Sequence, residues 1–416
     1  MATSLIIVSR HRPAALMRAL AGVAQMDHPD FELIVVTDPV SAQIIGTLGL
    51  PIKLVRYDQA NISAARNIGL QLAAGQVVAF LDDDAVPEPS WLSRLAAPFA
   101  DLQVTAAGGY VLGRSGLAWQ WRALWVDGDG FDQPFDPGPG ISLHPGTARR
   151  TLKTQGTNCA FRRDSLLAIG GFDEGFAFYL DEADVNLRLA AHGGLTAVVP
   201  DAVVHHGFAA SSRRRKDRVP TDLTQIGYSL ARFTARHGLT PDALDRHIAH
   251  QDARLIRHMV SGALEPSAVR RLMAGLRNGI KIAQSQEAAG VQRPGLNGSP
   301  LAPTRHPFAA LPNTGPRQGR LLFGPTTQRT ALEAEAKAAR AKGEIVTLFL
   351  FSRGVRPHIH RFTADGWWEQ SGGRFGHTFR AGHKISFQPI TLRLPQEIAR
   401  LARLRPIGPE LCAWNP

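Results

Sequence analysis

Short apolar runs and helically spaced apolar residues alternate along the first half of the chain. Residues 4–9 (SLIIVS) form a continuous run of strand length, and residues 13–20 (PAALMRAL) carry apolar positions at helical spacing. Residues 31–38 (FELIVVTD) read as a second strand. Residues 61–73 (NISAARNIGLQLA) read as a further helix, ended by Gly75, and residues 76–84 (QVVAFLDDD) run as a third buried strand straight into three carboxylates. Strands alternating with helices predict an α/β fold with a mostly parallel sheet covered on both faces by helices. In open sheets of this kind ligands bind beyond the carboxyl ends of the strands. Ser9 and Arg10, Asp38, and Asp82 to Asp84 all fall at such ends.

The pattern changes three times further along. Residues 113–145 are rich in Trp, Gly, Asp and Pro and predict a long loop, with Trp119 to Trp125 shaping a pocket. Residues 221–290 are mainly helical, residues 291–325 form a Pro/Gly-rich linker, and residues 326–416 make a small α/β accessory module whose role the sequence does not reveal. The first 220 residues are the expected catalytic domain. No internal repeat is visible.

Composition narrows the partners. Through Ala210 the chain has 15 basic and 21 acidic residues, and after it 32 basic and 14 acidic, so the whole excess of positive charge lies in the second half. That asymmetry favours an anionic partner there, such as the surface of an anionic membrane. The aromatic residues of the basic half are not arranged as a known nucleic-acid module, which argues against nucleic acid. A run of about 20 apolar residues is missing, as is a basic, apolar and cleavable leader pattern, so a cytoplasmic protein, peripheral at most to the inner membrane face, is expected. Cys159 and Cys412 have no metal-ligand spacing, and neither a disulfide framework nor a zinc site is indicated.

Two acidic groups and a histidine pair carry the candidate chemistry. Three adjacent carboxylates at a strand end repel one another, and hard oxygen ligands there suit Mg²⁺ or Mn²⁺ bridging phosphates; the bland reading is a solvated acidic turn before Pro87 and Pro89. Asp181, Glu182 and Asp184 open an amphipathic helix. Acidity at a helix N-terminus is common because the macrodipole favours it, yet this is the other dense acidic site of the domain and a general base must be drawn from such a group. His205 and His206 end the run AVVHHG, where strand alternation turns one ring towards the crevice and one away; either is a candidate metal ligand.

Taken in order, SLIIVSRHRP, FELIVVTD, NISAARNIGL, VVAFLDDDAVPEPSWL, GTNCAFRRDSLLAIGGFDEGFAFYLDEADVNLRL and VVHHG resemble the family 2 glycosyltransferases of the A-type (GT-A) glycosyltransferase fold, over about the first 210 residues. The resemblance implies an inverting, metal-dependent transfer of a sugar from a nucleotide-diphosphate donor, UDP-linked by preference, to a hydroxyl of a glycan, glycolipid or other acceptor. Ser9 and Asp38 then match positions that contact base and ribose. Arg66 matches a basic residue beside the donor, joined by Arg10, and Asp82 to Asp84 match the DxD-type motif, with Asp82 or Asp83 on the ribose and Asp84 on the metal. The Glu-Asp pair of the family aligns with Asp181-Glu182, so Glu182 stands where a catalytic aspartate is usual; Asp181 and Asp184 are the alternatives for the base. VVHHG matches the site of a late metal-binding histidine. Two other readings compete: a nucleotidyltransferase, which would show a Gly-rich phosphate loop that SRHRPAAL lacks, and a non-catalytic polyanion-binding protein, which leaves the carboxylate clusters unexplained.

Overall fold

The structure, a computed structural model, describes residues 1–207, 213–289, 300–303, 306–312, 314–378, 385 and 387–408. The chain begins with β1 (Thr3–Val8), α1 (Pro13–Val23), β2 (Phe31–Thr37), α2 (Pro39–Gly46), β3 (Lys53–Arg56), α3 (Ile62–Leu72), β4 (Val77–Asp82) and β5 (Ala85–Pro87). Then come α4 (Trp91–Ala96), β6 (Val104–Leu112), β7 (Trp119–Trp121), β8 (Leu124–Asp127), β9 (Asp132–Pro134), β10 (Ser142–Pro145), β11 (Arg150–Leu152), β12 (Cys159–Arg162), α5 (Arg163–Ala168), α6 (Asp181–Ala191) and β13 (Leu195–His206).

The central sheet runs β10-β13-β6-β12-β4-β1-β2-β3. Pairing is parallel among β3, β2, β1 and β4 and between β6 and β13, while β12 is wedged antiparallel between β4 and β6. The sheet is therefore mostly parallel and flanked by helices, as the alternation predicts. Its strands are apolar on both sides because each face is covered. One layer of core packs Leu16, Leu20 and Val23 of α1 and Trp91, Leu92 and Leu95 of α4 on Leu5, Ile7 and Leu33; the other packs Ala65 and Leu70 of α3 and Val185 and Leu189 of α6 on Ile6, Val78 and Phe80. The register puts Val8 beside both Val36 and Asp82, so β1, β2 and β4 end level and deliver Ser9, Asp38 and the acidic triplet to one edge.

The expected loop over residues 113–145 contains four strands. β7 pairs with β6, β8 and β9 form a small sheet with β11, and β10 adds to the edge of the central sheet. Trp and Val in this stretch favour extended backbone, and the glycines fall at the turns between strands, while Pro134 and Pro145 end β9 and β10.

The helical extension is α7 (Thr224–His237), α8 (Ala243–Val260) and α9 (Pro266–Ala288), whose buried faces share a core with Phe176, Leu180 and Leu187 of the N-terminal domain. The last unit comprises β14 (Gly319–Pro325), α10 (Arg329–Ala341), β15 (Ile345–Ser352), β16 (Ile359–Phe362), β17 (Trp368–Gly373) and α11 (Ile390–Ala402), with sheet order β14-β15-β17-β16. Its sheet begins at Gly319, inside the expected linker. Val86 of β5 is buried with Ile345, Phe362 and Trp368, so this module packs against the strand that follows the acidic triplet. Among the described residues no helix is long and apolar enough to cross a membrane. Cys159 is buried, and burial pushes its thiol far up; Cys412 lies outside the described residues.

Candidate active site

The acidic triplet divides its three carboxylates among different neighbours. Asp83 turns inward, where it accepts from Ser9 Oγ at 2.6 Å and pairs with Arg12 at 2.7 Å. Burial lifts its carboxyl to about 7 against the pull of Arg12. Asp82 and Asp84 face the crevice, and burial, with the charge of Asp84 adding to it, raises Asp82 in spite of Arg66. His206 Nε2 lies 3.3 Å from Asp84. One ligand atom from each of Asp82, Asp84 and His206 falls within 4.8 Å of the others, two hard carboxylates and an imidazole around one point. That donor set suits a divalent cation, and the imidazole favours Mn²⁺ over Mg²⁺.

His206 is held ready for such a role. Its Nδ1 lies 2.8 Å from Gln120 Oε1, which fixes the ring, and its Nε2 faces Asp84. Trp121 stacks on the ring at 5.8 Å. The sequence places Gln120 and Trp121 only within the pocket-shaping run Trp119 to Trp125, whose strand is hidden inside what reads as a loop, and nothing in it picks out Arg12.

His205 does not join this group. It points to the other side of β13, where its Nε2 meets Glu88 at 2.8 Å and its ring packs against His360 and Trp368 of the C-terminal module. Glu88, His205 and His360 also cluster within 4.8 Å, but Arg405 stands 2.7 Å from His360 Nε2 and 3.4 Å from Glu88, and its guanidinium takes the place a cation would need. A cavity of about 530 Å³ lies between the module and β13, with His206, Arg361 and Trp367 in its walls.

Arg66 connects the triplet to the second acidic group. Asn61 caps α3 by accepting from Ala64 N at 3.1 Å, which starts the helix so that Arg66 is buried one turn in. Its guanidinium bonds Asp181 and lies 3.6 Å from Glu182 and 3.7 Å from Asp82, with Phe172 beneath it at 5.2 Å. Burial works against its charge, but the three acids more than restore it. Before α6 the backbone at Tyr179 and Leu180 is left-handed, φ 78° and 66°, a conformation that L-residues adopt at a cost and that concentrates at functional sites. It aims Asp181 and Glu182 at Arg66. Burial and then the charge of Glu182 raise Asp181 well above the usual carboxylate range. Asp181 is buried, whereas a fifth of the Glu182 side chain reaches solvent. A Cβ at Gly156 would collide with Glu182 Oε1 and Arg66 Nη2, so this glycine is needed for their approach.

Asp184 stands apart from the crevice. It pairs with Arg188 at 2.7 Å, Arg236 at 2.7 Å and His237 at 2.9 Å, and these partners hold its carboxyl far below the usual range despite burial. With every neighbour a donor, it ties α6 to α7 and cannot accept an acceptor's proton. Arg10 lies at the rim, paired with Asp58 at 2.8 Å. Asp38 caps α2, accepting from Val40 N and Ser41 N at 3.1 Å, His11 N at 2.8 Å and Ser41 Oγ at 2.7 Å.

Residues 4–169 match the family described as Glycosyl transferase family 2. The N-terminal half of the chain resembles the family 2 glycosyltransferases. The O-antigen biosynthesis protein RfbC of Myxococcus xanthus is 28% identical over 372 residues, which are 84% of this chain and 27% of that protein. The chain thus spans about a quarter of that relative. A glucosyl-dolichyl phosphate glucuronosyltransferase of Haloferax volcanii is 31% identical over 121 residues, 28% of this chain and 36% of its own length. Among solved structures, the mannosyltransferase PcManGT from Pyrobaculum calidifontis aligns with a TM-score of 0.42 at 17% identity, covering 68% of this chain and 86% of its own.

Proposed function

We propose that the chain is an inverting glycosyltransferase that moves a sugar from a nucleotide-diphosphate donor, UDP-linked by preference, to an acceptor hydroxyl. The observation that carries this reading is Arg66, which joins a cation-type site, Asp82–Asp84–His206, to the Asp181–Glu182 pair in a domain that matches family 2. Such a span fits a donor diphosphate at one end and an acceptor hydroxyl at the other.

Glu182 is the base, because it is the member of its pair that an acceptor can reach. It takes the acceptor proton as that oxygen attacks the anomeric carbon; the new C–O bond forms as the bond to the diphosphate breaks, and the diphosphate leaves with the electron pair. Asp82, Asp84 and His206 would hold Mn²⁺ or Mg²⁺, which offsets the charge on the leaving diphosphate. Arg66 adds positive charge on the acceptor side of that position and keeps Asp181 beside Glu182. Ser9 and Asp83 support the nucleoside end, and Asp38 contributes by fixing the loop that ends β1 and β2. Glycan, glycolipid and other glycoconjugate acceptors fit the names of the relatives, one for O-antigen biosynthesis and one for a glucosyl-dolichyl phosphate substrate.

The test is a thermal-shift screen of UDP-, GDP- and dTDP-sugars with and without Mn²⁺, since a ligand of the native state raises its stability. A cation-dependent shift with one nucleotide, followed by transfer or slow hydrolysis of its sugar, is the expected result. No shift with any of them would remove the reading.

A further inference from the structure

The C-terminal ends of β15 and β17 carry an apolar and basic surface on the last unit. Arg353, Val355 and Arg356 follow β15, and Arg374 and Phe375 follow β17. Backbone bonds lock the two loops together: Arg374 N donates to Ser352 O at 2.7 Å, Phe375 N to Gly354 O at 3.1 Å, and Gly373 N to Arg356 O at 2.8 Å. The approach is so close that a Cβ at Gly376 would overlap Arg356 O. The second loop also bridges from Gly376 to Ile385, and the Phe375 ring meets that of Phe387 at 6.0 Å. Arg393 Nη1 donates to Arg374 O at 2.8 Å, which brings the first turn of α11, with Leu392, to the same edge.

The core does not take in the large apolar side chains of this edge. Ile390 and Leu394 of α11 pack with Phe349 and Phe351, so the helix has its buried face and Leu392 lies outside it. Phe387 is 81% exposed, Leu392 58% and Val355 51%. Arg353 and Arg356 are exposed beside them, and residues 352–364, 370–378 and 385–392 contain neither Asp nor Glu. Glu397, further along α11, is buried and paired with Arg400 at 3.1 Å.

We propose that this edge docks the protein on an anionic lipid bilayer, with Phe387, Leu392 and Val355 entering the headgroup boundary and Arg353 and Arg356 meeting the lipid phosphates. The proposal goes beyond the glycosyltransferase reading and does not depend on it. Charge complementarity selects the occupant: arginines near a bilayer are drawn by anionic headgroups, and Phe and Leu gain by leaving water at the acyl boundary. A stable protein interface takes about 20–30 residues a side around a well-packed centre, far more than the side chains gathered here. The chain runs from Arg356 into β16, whose Ile359 and His360 line the cavity beside His206, so the docking edge leads into a wall of that cavity.

The test is flotation of the full chain with phosphatidylcholine vesicles that contain about 30% phosphatidylglycerol or none. The wild type should float with the anionic vesicles and not with the neutral ones, and the bound fraction should fall as salt screens the arginines. F387S, and separately R353Q/R356Q, should weaken binding about tenfold. L102S removes an equally exposed side chain from another surface and should bind as the wild type does. Equal melting temperatures report that all the variants are folded. Failure of the wild type to bind anionic vesicles overturns the proposal. So does binding that both variants of the edge leave intact, which would place the contact elsewhere. Self-association in sedimentation velocity that F387S abolishes, without vesicle binding, would also overturn it and make the edge an interface between copies of the chain.

Discussion

His205 and His206 are consecutive on β13 yet serve different neighbours: His206 Nε2 faces Asp84 at 3.3 Å, and His205 Nε2 faces Glu88 at 2.8 Å on the side of the C-terminal module. Alternation along a strand makes this inevitable once one ring is committed. The two alanine variants should therefore separate. H206A is expected to weaken Mn²⁺-dependent nucleotide binding with little change in melting temperature. H205A is expected to keep metal affinity and lose stability, because the buried Glu88 then loses a hydrogen-bond partner. Q120A, which frees the His206 ring, should cost about 10- to 100-fold in metal affinity. Calorimetric titration with Mn²⁺ and UDP checks all three, and equal metal affinity in H205A and H206A would contradict the assignment.

Glu182 and Asp181 differ in exposure, not in chemistry, and that difference sets the next expectation. E182Q keeps the size of the side chain and removes the proton acceptor, so turnover should fall on the order of 10²- to 10⁴-fold while donor affinity holds. D181N acts on Arg66 instead, leaving a buried guanidinium short of a partner, and its main effect should be on stability and donor affinity. Steady-state rates beside donor binding for the two variants distinguish these patterns. Full turnover in E182Q with collapse in D181N would move the base to Asp181.

Much of this site is visible in the sequence because its acids sit at the ends of elements: the triplet begins on the last residue of β4, and Asp181-Glu182 open α6. What the sequence leaves open depends on partners far along the chain. The period of two says that His205 and His206 diverge, but Glu88, Gln120 and His360 decide which is which. Arg10 and Arg12 are equally basic, and only the left-handed His11, φ 57°, sends one to the rim and the other to Asp83. The strands within residues 113–145 escape notice because each is only three or four residues long, while the pairing that stabilises them comes from β6, β11 and β13.

Asp184 illustrates the same dependence on distant partners, and it carries a prediction of its own. Its neighbours Arg236 and His237 are 52 and 53 residues away and belong to α7. D184N leaves Arg188 and Arg236 without their shared buried counter-charge, a change that costs about 3–5 kcal/mol when a buried pair loses one partner. Urea unfolding should report that loss. Protein that remains folded should turn over at a rate close to the wild type, because no proton passes through this carboxylate; a loss of turnover on the scale of E182Q at unchanged stability would return Asp184 to the catalytic group.

Asp38 provides the pH-dependent case. Burial opposes its charge, but donors from Ser41, His11 and Val40 hold its carboxyl down at about 2, below the ordinary value of 3.8. A lowered folded value means that the stabilisation is fully present above about pH 4 and is lost as pH falls towards 2, because the unfolded chain binds the proton first. Nearly two units correspond to about 2 kcal/mol at neutral pH. In D38N the new amide NH₂ must face one of four donors, His11 N, Val40 N, Ser41 N or Ser41 Oγ, so the substitution cannot restore the pattern although asparagine is a good helix cap in isolation. Urea unfolding of wild type and D38N from pH 7 to pH 3 should show a gap of about 2 kcal/mol that narrows as the solution is acidified below pH 4. A gap that stays constant across that range would mean that Asp38 holds the loop through shape and not through its charge.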